Sequence, residues 1–394
     1  MKSPREILFD CDILVENGVI VKIDRGISIN KDVIHVDCSG LAALPGLVDG
    51  HCHSQTANLV GLLEEKDLEE AFTASWDYMR NLSRSEALAE SSTSFKWALS
   101  CGTTWIIDVT PNFMEAFDAA VDLNIGIMTG PTVQEFDDPH KCLVHLKFLL
   151  TRARERKARY HPIIASLIFE DGFSGEQLEV LKEALSKGYS TLFHLPLTRK
   201  QVFSFKRKTG HFPIEFLCKE GLLSSKTILV HPGWMTSWEI EAVRNYGATI
   251  IDTPSSYMRH ASAASTPLQR LLKLDIPVGL GTDGPGISSN MSIIFEASTC
   301  YLHYRHLYWM LRPSILDVLK ISCLSGCGIL GRRKGIIGEG EPAELILLNV
   351  RQKPSTSKGV IALLMNPSNI ELKYVLIGEN LLEVPSFKHV LEKE

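Results

Sequence analysis

Two kinds of hydrophobic pattern divide the chain. In the first forty residues the runs DILVE and VIVKI flank Asn17-Gly18. An Asn-Gly pair between β-rich runs predicts a tight hairpin. The far end has the same character: AELILLN and ELKYVLI are short and apolar, with a turn at Gly378-Glu379-Asn380 before LLEV. Neither end carries a helical period. Each is too short to bury a core of its own, so the two are expected to pair into one small sheet domain.

Over residues 41–331 the pattern changes to buried runs alternating with amphipathic helices. Eight runs stand out: LPGLVDG, TTWIIDV, IGIMTGP, PIIASLIF, YSTLFHL, KTILVHP, ATIIDTP and PVGLGTDG. Each is apolar on both faces, as a parallel strand covered by helices requires. Helix boundaries are marked too. Ser174 with Gln177 and Thr236 with Glu239 resemble capping boxes, and Gly188 and Gly247 end the helices that follow. Eight βα units predict an α/β fold, a (β/α)8 TIM barrel over residues 44–334. Residues 1–43 and 335–394 are then expected to form a small β-sandwich domain beside it. Residues 61–82 are the expected insertion after the first strand.

Composition narrows the function. The 394 residues are 45% hydrophobic and 22% charged, with a formal charge of −5, which is the make-up of an ordinary globular protein. The slightly acidic balance and lack of a basic run argue against nucleic acid or anionic membrane as the main partner. No basic-then-apolar leader and no run of about 18 apolar residues is visible. The nine scattered cysteines include no C-x-x-C pair, which suits a reducing cytoplasm. The expected partner is a small-molecule substrate, with a second copy of the chain as a candidate for a homodimer.

In such a barrel the site lies at the C-terminal ends of the strands. The first run ends in His51-Cys52-His53, the fifth in His194, the sixth in His231 and the eighth in Asp283. The two-residue period of a strand puts His51 and His53 on one side and Cys52 on the other. His51, His53, His194 and Asp283 converge on one mouth as metal ligands, with Zn2+ the first candidate and Fe2+ or a second ion the alternatives. His231 is open between a fifth ligand, a hydrogen-bond partner for substrate and a core histidine. Cys323 and Cys327, four apart on a helix, read as small core residues. Trp76, Trp105, Trp234 and Tyr257 are the aromatic candidates at the mouth.

The stretch from Leu44 through Pro45, Gly46 and Asp49 to His51-Cys52-His53 resembles the P-G-x-[IVL]-D-x-H-x-H opening of the amidohydrolase superfamily. Asn17-Gly18-Val19-Ile20 and the GEGEPAELILLN segment resemble its N-terminal strands and its closing segment. Within the superfamily, Cys101-Gly102-Thr103-Thr104, Leu229-Val230-His231, Thr253-Pro254-Ser255-Ser256 and Gly281-Thr282-Asp283-Gly284 are similar to the deaminase and chlorohydrolase branch. The resemblance implies a metal-activated water, with His51, His53, His194 and Asp283 as ligands. It further implies that Asp283 takes a proton from that water and that His231 orients or polarises the substrate.

Two departures shape the functional expectation. The deaminase branch opens H-x-x-E at the strand-five histidine, and here the segment is His194-Leu195-Pro196-Leu197. Losing a positioned acid typically costs about 10²–10⁴-fold in rate. Glu170 stands at the end of the fourth run, where two-metal members often carry a modified lysine; it is open between bridging a second ion, touching substrate and capping a helix. The expected function is hydrolysis of a non-peptide C–N bond of amide, cyclic amide or amidine type. The alternatives are deamination of an amino-heterocycle or nucleoside, and a catalytically silent barrel used for binding or assembly.

Overall fold

The N-terminal hairpin forms as its sequence requires. β1 (Asp12–Glu16) and β2 (Val19–Asp24) pair antiparallel, and Asn17 and Gly18 take the positive φ values of 52° and 74° that such a turn needs. The computed structural model describes residues 8–28, 33–168, 172–262, 264–324, 336–350 and 367–384. The next strand, β3 (Leu41–Pro45), ends one residue before β4 (Leu47–Cys52) begins. The run LPGLVDG is therefore two strands rather than one. Gly46 makes the crossing between them, because a Cβ there would lie 2.4 Å from Thr104 Oγ1.

The barrel continues through β5 (Thr103–Asp108), β6 (Gly126–Thr129), β7 (Tyr160–Leu167), β8 (Ser190–His194), β9 (Thr227–Val230), β10 (Thr249–Asp252) and β11 (Val278–Leu280). These eight strands form one parallel sheet in chain order from β4 to β11, with helices between them. The expected capping boxes are made: Ser174 with Gln177 opens helix Gly175–Ser186, and Thr236 with Glu239 opens helix Ser237–Tyr246. The insertion after the first barrel strand carries helix Leu68–Arg80, ahead of helix Arg84–Ser100.

The two end strands of the sheet meet. Asp283 N donates to His51 O at 2.9 Å, and the Asp49 carboxylate accepts from Thr282 N at 3.0 Å and Thr282 Oγ1 at 2.6 Å. These bonds join β4 to the loop that follows β11 and close the ring. No helix among the described residues is long and apolar enough to cross a membrane.

Beyond the barrel, β12 (Glu344–Val350), β13 (Ile370–Ile377) and β14 (Asn380–Glu383) join β3 in a four-stranded antiparallel sheet, ordered β14-β13-β12-β3. The terminal segments thus form two sheets, as the expected small sandwich requires. Hairpin β1–β2 stays separate because its apolar face, with Ile13, Val15, Ile20 and Ile23, covers Ala43, Leu345 and Leu376 of the other. This is a small sandwich. It is tied to the barrel floor by Glu344, which pairs with Arg159 Nη2 at 2.6 Å and accepts from Trp105 Nε1 at 3.1 Å.

Truncation after Val350 removes β13 and β14 and leaves the edge of β12, with the apolar side chains of Ile346 and Leu348, open. The truncated protein is expected to aggregate, read by light scattering. A soluble, fully active truncation would contradict this packing.

Candidate metal centre and active site

Five side chains meet where the barrel closes. His51 lies on β4 and His53 just past its end, His194 ends β8, His231 follows β9, and Asp283 lies three residues past β11. All five are buried, while Cys52 points the other way into the hydrophobic core, as the strand period requires. His194 Nε2 stands 3.0 Å from His51 Nε2 and 3.2 Å from His53 Nε2. Asp283 Oδ1 is 3.2 Å from His51 Nε2, 3.7 Å from His53 Nε2 and 3.6 Å from His231 Nε2. Two sets of three, His51-His53-His194 and His51-His231-Asp283, are each tight enough to hold a metal ion.

The protonation pattern fits that use. Burial pushes His51 down to about 3 and lowers His53, His194 and His231 as well, so the rings are neutral. His53 Nδ1 lies 2.6 Å from Val109 O, a carbonyl that can only accept. That bond fixes the proton on Nδ1 and leaves the Nε2 lone pair aimed at the cluster. The Nε2 atoms of His51 and His53 crowd to 3.0–3.2 Å from that of His194. Ligands ~2.0–2.1 Å from a tetrahedral ion stand roughly this far apart, so the donor set suits a divalent cation. Burial opposes the charge on Asp283, but the surrounding imidazoles outweigh it and hold the carboxylate well below its ordinary range.

The backbone is bent to bring these groups in. His231 and Asp283 both have positive φ, 60° and 62°, which non-glycine residues seldom adopt and which clusters at functional sites. Gly284 follows at φ 94°, and a Cβ there would meet His53 O at 2.7 Å. Only glycine lets the Asp283 loop press against the first strand.

Several supporting residues carried no assigned role in the sequence reading. Asp49 shares the face of His51 by the two-residue period, a signal present in the motif. Burial pushes its carboxyl up to about 7 against its bonds from Thr282 and His51 N. Ser256 Oγ donates to Asp283 Oδ2 at 2.6 Å. The short helix Pro254–Arg259 that carries Ser256 is held by Glu296, which accepts from Ser255 N and Oγ and from Asn290 Nδ2. His260 has Nδ1 2.8 Å from Lys66 O and Nε2 2.9 Å from Ile287 O, linking three mouth loops. No local pattern marks it.

Above the cluster lies an apolar ceiling. Phe72 lies 6.0 Å from His53 and 5.8 Å from His194 by ring centroids, and Trp76 lies 5.7 Å from His53. Leu197 is buried with Leu59, Leu63, Leu68, Ala71, Tyr257 and Ile287. Among the mouth aromatics, Trp234 donates Nε1 to Leu197 O at 3.2 Å and Tyr257 packs on His231 at 5.9 Å. Trp105 is not at the mouth. It lies near the start of β5 and binds Glu344 of the small domain, because the side chains that open a barrel strand face its floor. Cys323 is buried as a core residue, whereas Cys327 and Glu170 lie outside the described residues.

With this geometry in hand, similarity to known proteins is informative. A profile of the Amidohydrolase family matches residues 42–375. The 5-methylthioadenosine/S-adenosylhomocysteine deaminase of Pyrococcus furiosus is 26% identical over 354 residues, covering 86% of this chain and 82% of that one. The 5'-deoxyadenosine deaminase of Methanothermobacter thermautotrophicus is 24% identical over 346 residues, covering 86% and 81%. Among solved structures, the zinc complex of atrazine chlorohydrolase from Arthrobacter aurescens superposes with a TM-score of 0.85 at 19% identity, over 98% of this chain and 94% of that one. The zinc-bound adenosine deaminase of Xanthomonas campestris gives 0.84 at 19%, over 96% and 90%.

Glu296 makes a pH prediction. Burial pushes its carboxyl from 4.5 up to about 8, so the folded state binds a proton that the unfolded state releases near its ordinary value. Stability is then fullest below the unfolded value and declines as pH rises through about 8. Glu296→Gln, which keeps the shape and carries no charge, is expected to flatten that decline in urea unfolding between about pH 5 and 8. An unchanged slope would contradict the assignment.

Proposed function

Because the chain belongs to the amidohydrolase family, hydrolases that act on carbon–nitrogen bonds, we propose that it hydrolyses a non-peptide C–N bond of amide, cyclic amide or amidine type in a small molecule. The observation that carries this reading is a complete, buried donor cluster beneath an apolar ceiling to which Leu197 belongs. His51, His53, His194 and Asp283 would hold one divalent ion, Zn2+ by preference for three imidazoles and a carboxylate. Such an ion supplies Lewis-acid activation of water, lowering its pKa toward about 7.

The chain's own residues account for the rest. Asp283 presents Oδ1 to His51, His53 and His231. Its Oδ2 is steadied by Ser256 and keeps a second lone pair to take the proton of the attacking water and pass it to the leaving nitrogen. His231, neutral and held at Nδ1 by Thr253 Oγ1 at 3.2 Å, turns Nε2 toward the cluster, 3.6 Å from Asp283 Oδ1, where it would orient the substrate. The apolar ceiling excludes bulk water. Eight free cysteines among the described residues favour a reducing, cytoplasmic setting, and the charge of −5 favours a small molecule over nucleic acid.

Deamination is the second reading, favoured by the adenosine-type substrates in the names of the archaeal relatives. It requires another group to protonate the ring nitrogen, since an unpaired buried nitrogen against Leu197 would cost roughly 1–3 kcal/mol. A silent scaffold would have no need to keep all five polar groups.

Elemental analysis of the purified protein is expected to find about one divalent ion per chain, with most of it lost in His53→Ala. Full retention in both His53→Ala and Asp283→Ala would contradict the ligand assignment.

Turnover of amide and amino-heterocycle panels, with ammonia and carboxylate followed separately, tests the reaction. Amide-type hydrolysis with slow or absent ring deamination is expected. Asp283→Asn should lower it by about 10²–10⁴-fold, and His231→Ala should reduce it strongly. Efficient ammonia release from a nucleobase or nucleoside would overturn the amide reading in favour of the deaminase.

A further inference from the structure

Helix Ile293–Tyr308, which follows the Asp283 loop, has two faces of opposite use. The inner face is committed to the fold behind the site. Glu296, Cys300 and Tyr304 are fully buried at four-residue spacing, and Tyr304 Oη donates to Asp252 Oδ2 at 2.8 Å. The outer face is apolar and open. Phe295, Leu302 and, at the helix cap, Trp309 recur every seven residues, a spacing that brings each side chain back to within ~20° of the last. Leu302 is 64% exposed and Trp309 90%. Leu307, Met310 and Leu311 add exposed apolar surface at the same end.

A helix whose outer face meets water ordinarily carries charge there. In this one the only carboxylate, Glu296, is buried inward on Ser255 and Asn290. The only guanidinium, Arg305, lies over the ring of Tyr301 on its own helix, 4.6 Å from the centroid. The six apolar side chains together expose roughly 700 Å2, more than the ~300–600 Å2 of the largest patch on a typical monomer and near the ~800 Å2 each partner gives to a standard interface.

The spacing along the stripe says what covers it. Leu302 stands midway, seven residues from Phe295 and seven from Trp309. We propose that a second copy of this chain covers the stripe, the two helices packing antiparallel about a two-fold axis at Leu302. Leu302 then meets the partner's Leu302, and Phe295 meets the partner's Trp309 at both ends, an isologous contact with an aromatic pair on each side of the axis. Arg305 falls opposite the partner's Thr299, so no like charges meet, whereas a parallel pairing would set the two Arg305 side chains together. The contact lies on the back of the helix that holds Ser255 through Glu296, and so braces that support from outside.

Sedimentation velocity on the full chain is expected to give twice the chain mass at micromolar concentration. Leu302→Glu, which sets two carboxylates across the axis, should halve that mass while circular dichroism keeps the parent's helix content. Leu302→Cys decides the case even where Leu302→Glu fails to fold. Antiparallel helices at the usual ~8–10 Å separation bring the two Cα atoms at the axis within disulfide reach, so oxidation should link Leu302→Cys chains in pairs. Phe295→Cys sets the two thiols roughly 20 Å apart along the helices and should link no better than the parent. A monomeric parent would overturn the proposal, the stripe then being covered from within the chain or by another partner. So would a dimer that a folded Leu302→Glu variant leaves intact, or one in which Phe295→Cys links as readily as Leu302→Cys.

Discussion

The bond pair between Asp49 and Thr282 is the constraint on which the site depends. Asp49 belongs to the first barrel strand, and Thr282 lies two residues past the last. Their contacts at 3.0 and 2.6 Å fasten the two ends of an eight-stranded sheet. The histidine–aspartate cluster is built around that seam: His51 follows Asp49 by two, and Asp283 follows Thr282 by one. A buried carboxylate without its partners would cost several kcal/mol. The chain therefore holds this seam shut, and the closure brings a carboxylate from one end of the barrel among imidazoles from the other.

Around that seam the polar groups form a chain of supports. Ser256 steadies Asp283, Glu296 steadies the helix that carries Ser256, and Val109 O sets the tautomer of His53. The ceiling is anchored at its rim. Arg80 and Trp76 of helix Leu68–Arg80 both bind Glu135, and Arg259 and Ser289 bind Glu64. These contacts fix an apolar lid over a polar floor. Such a site recognises substrate by shape and by few hydrogen bonds, and dryness strengthens each electrostatic contact within it.

Much of this was legible in the sequence, for particular reasons. Buried parallel strands write themselves as short apolar runs, so the barrel and the strand-end positions of His51, His194, His231 and Asp283 could be read directly. The capping boxes at Ser174 and Thr236 are local devices and were equally visible. What escaped depends on distance in space. That Trp105 would bind Glu344 at the floor, 239 residues away, depends on the end of the strand at which it sits. The tie of His260 to Lys66 and Ile287 is made by two backbone carbonyls, which leave no imprint on residue type.

The central claim is that one divalent ion lies among the nitrogens of His51, His53 and His194 and the carboxylate of Asp283. Anomalous diffraction at the zinc edge, from crystals of the metal-replete protein, tests it most directly. The account predicts a single strong peak ~2.0–2.2 Å from Nε2 of both His51 and His53 and in contact with Asp283. A metal-replete crystal with its peak elsewhere, or with none inside the barrel mouth, would contradict it.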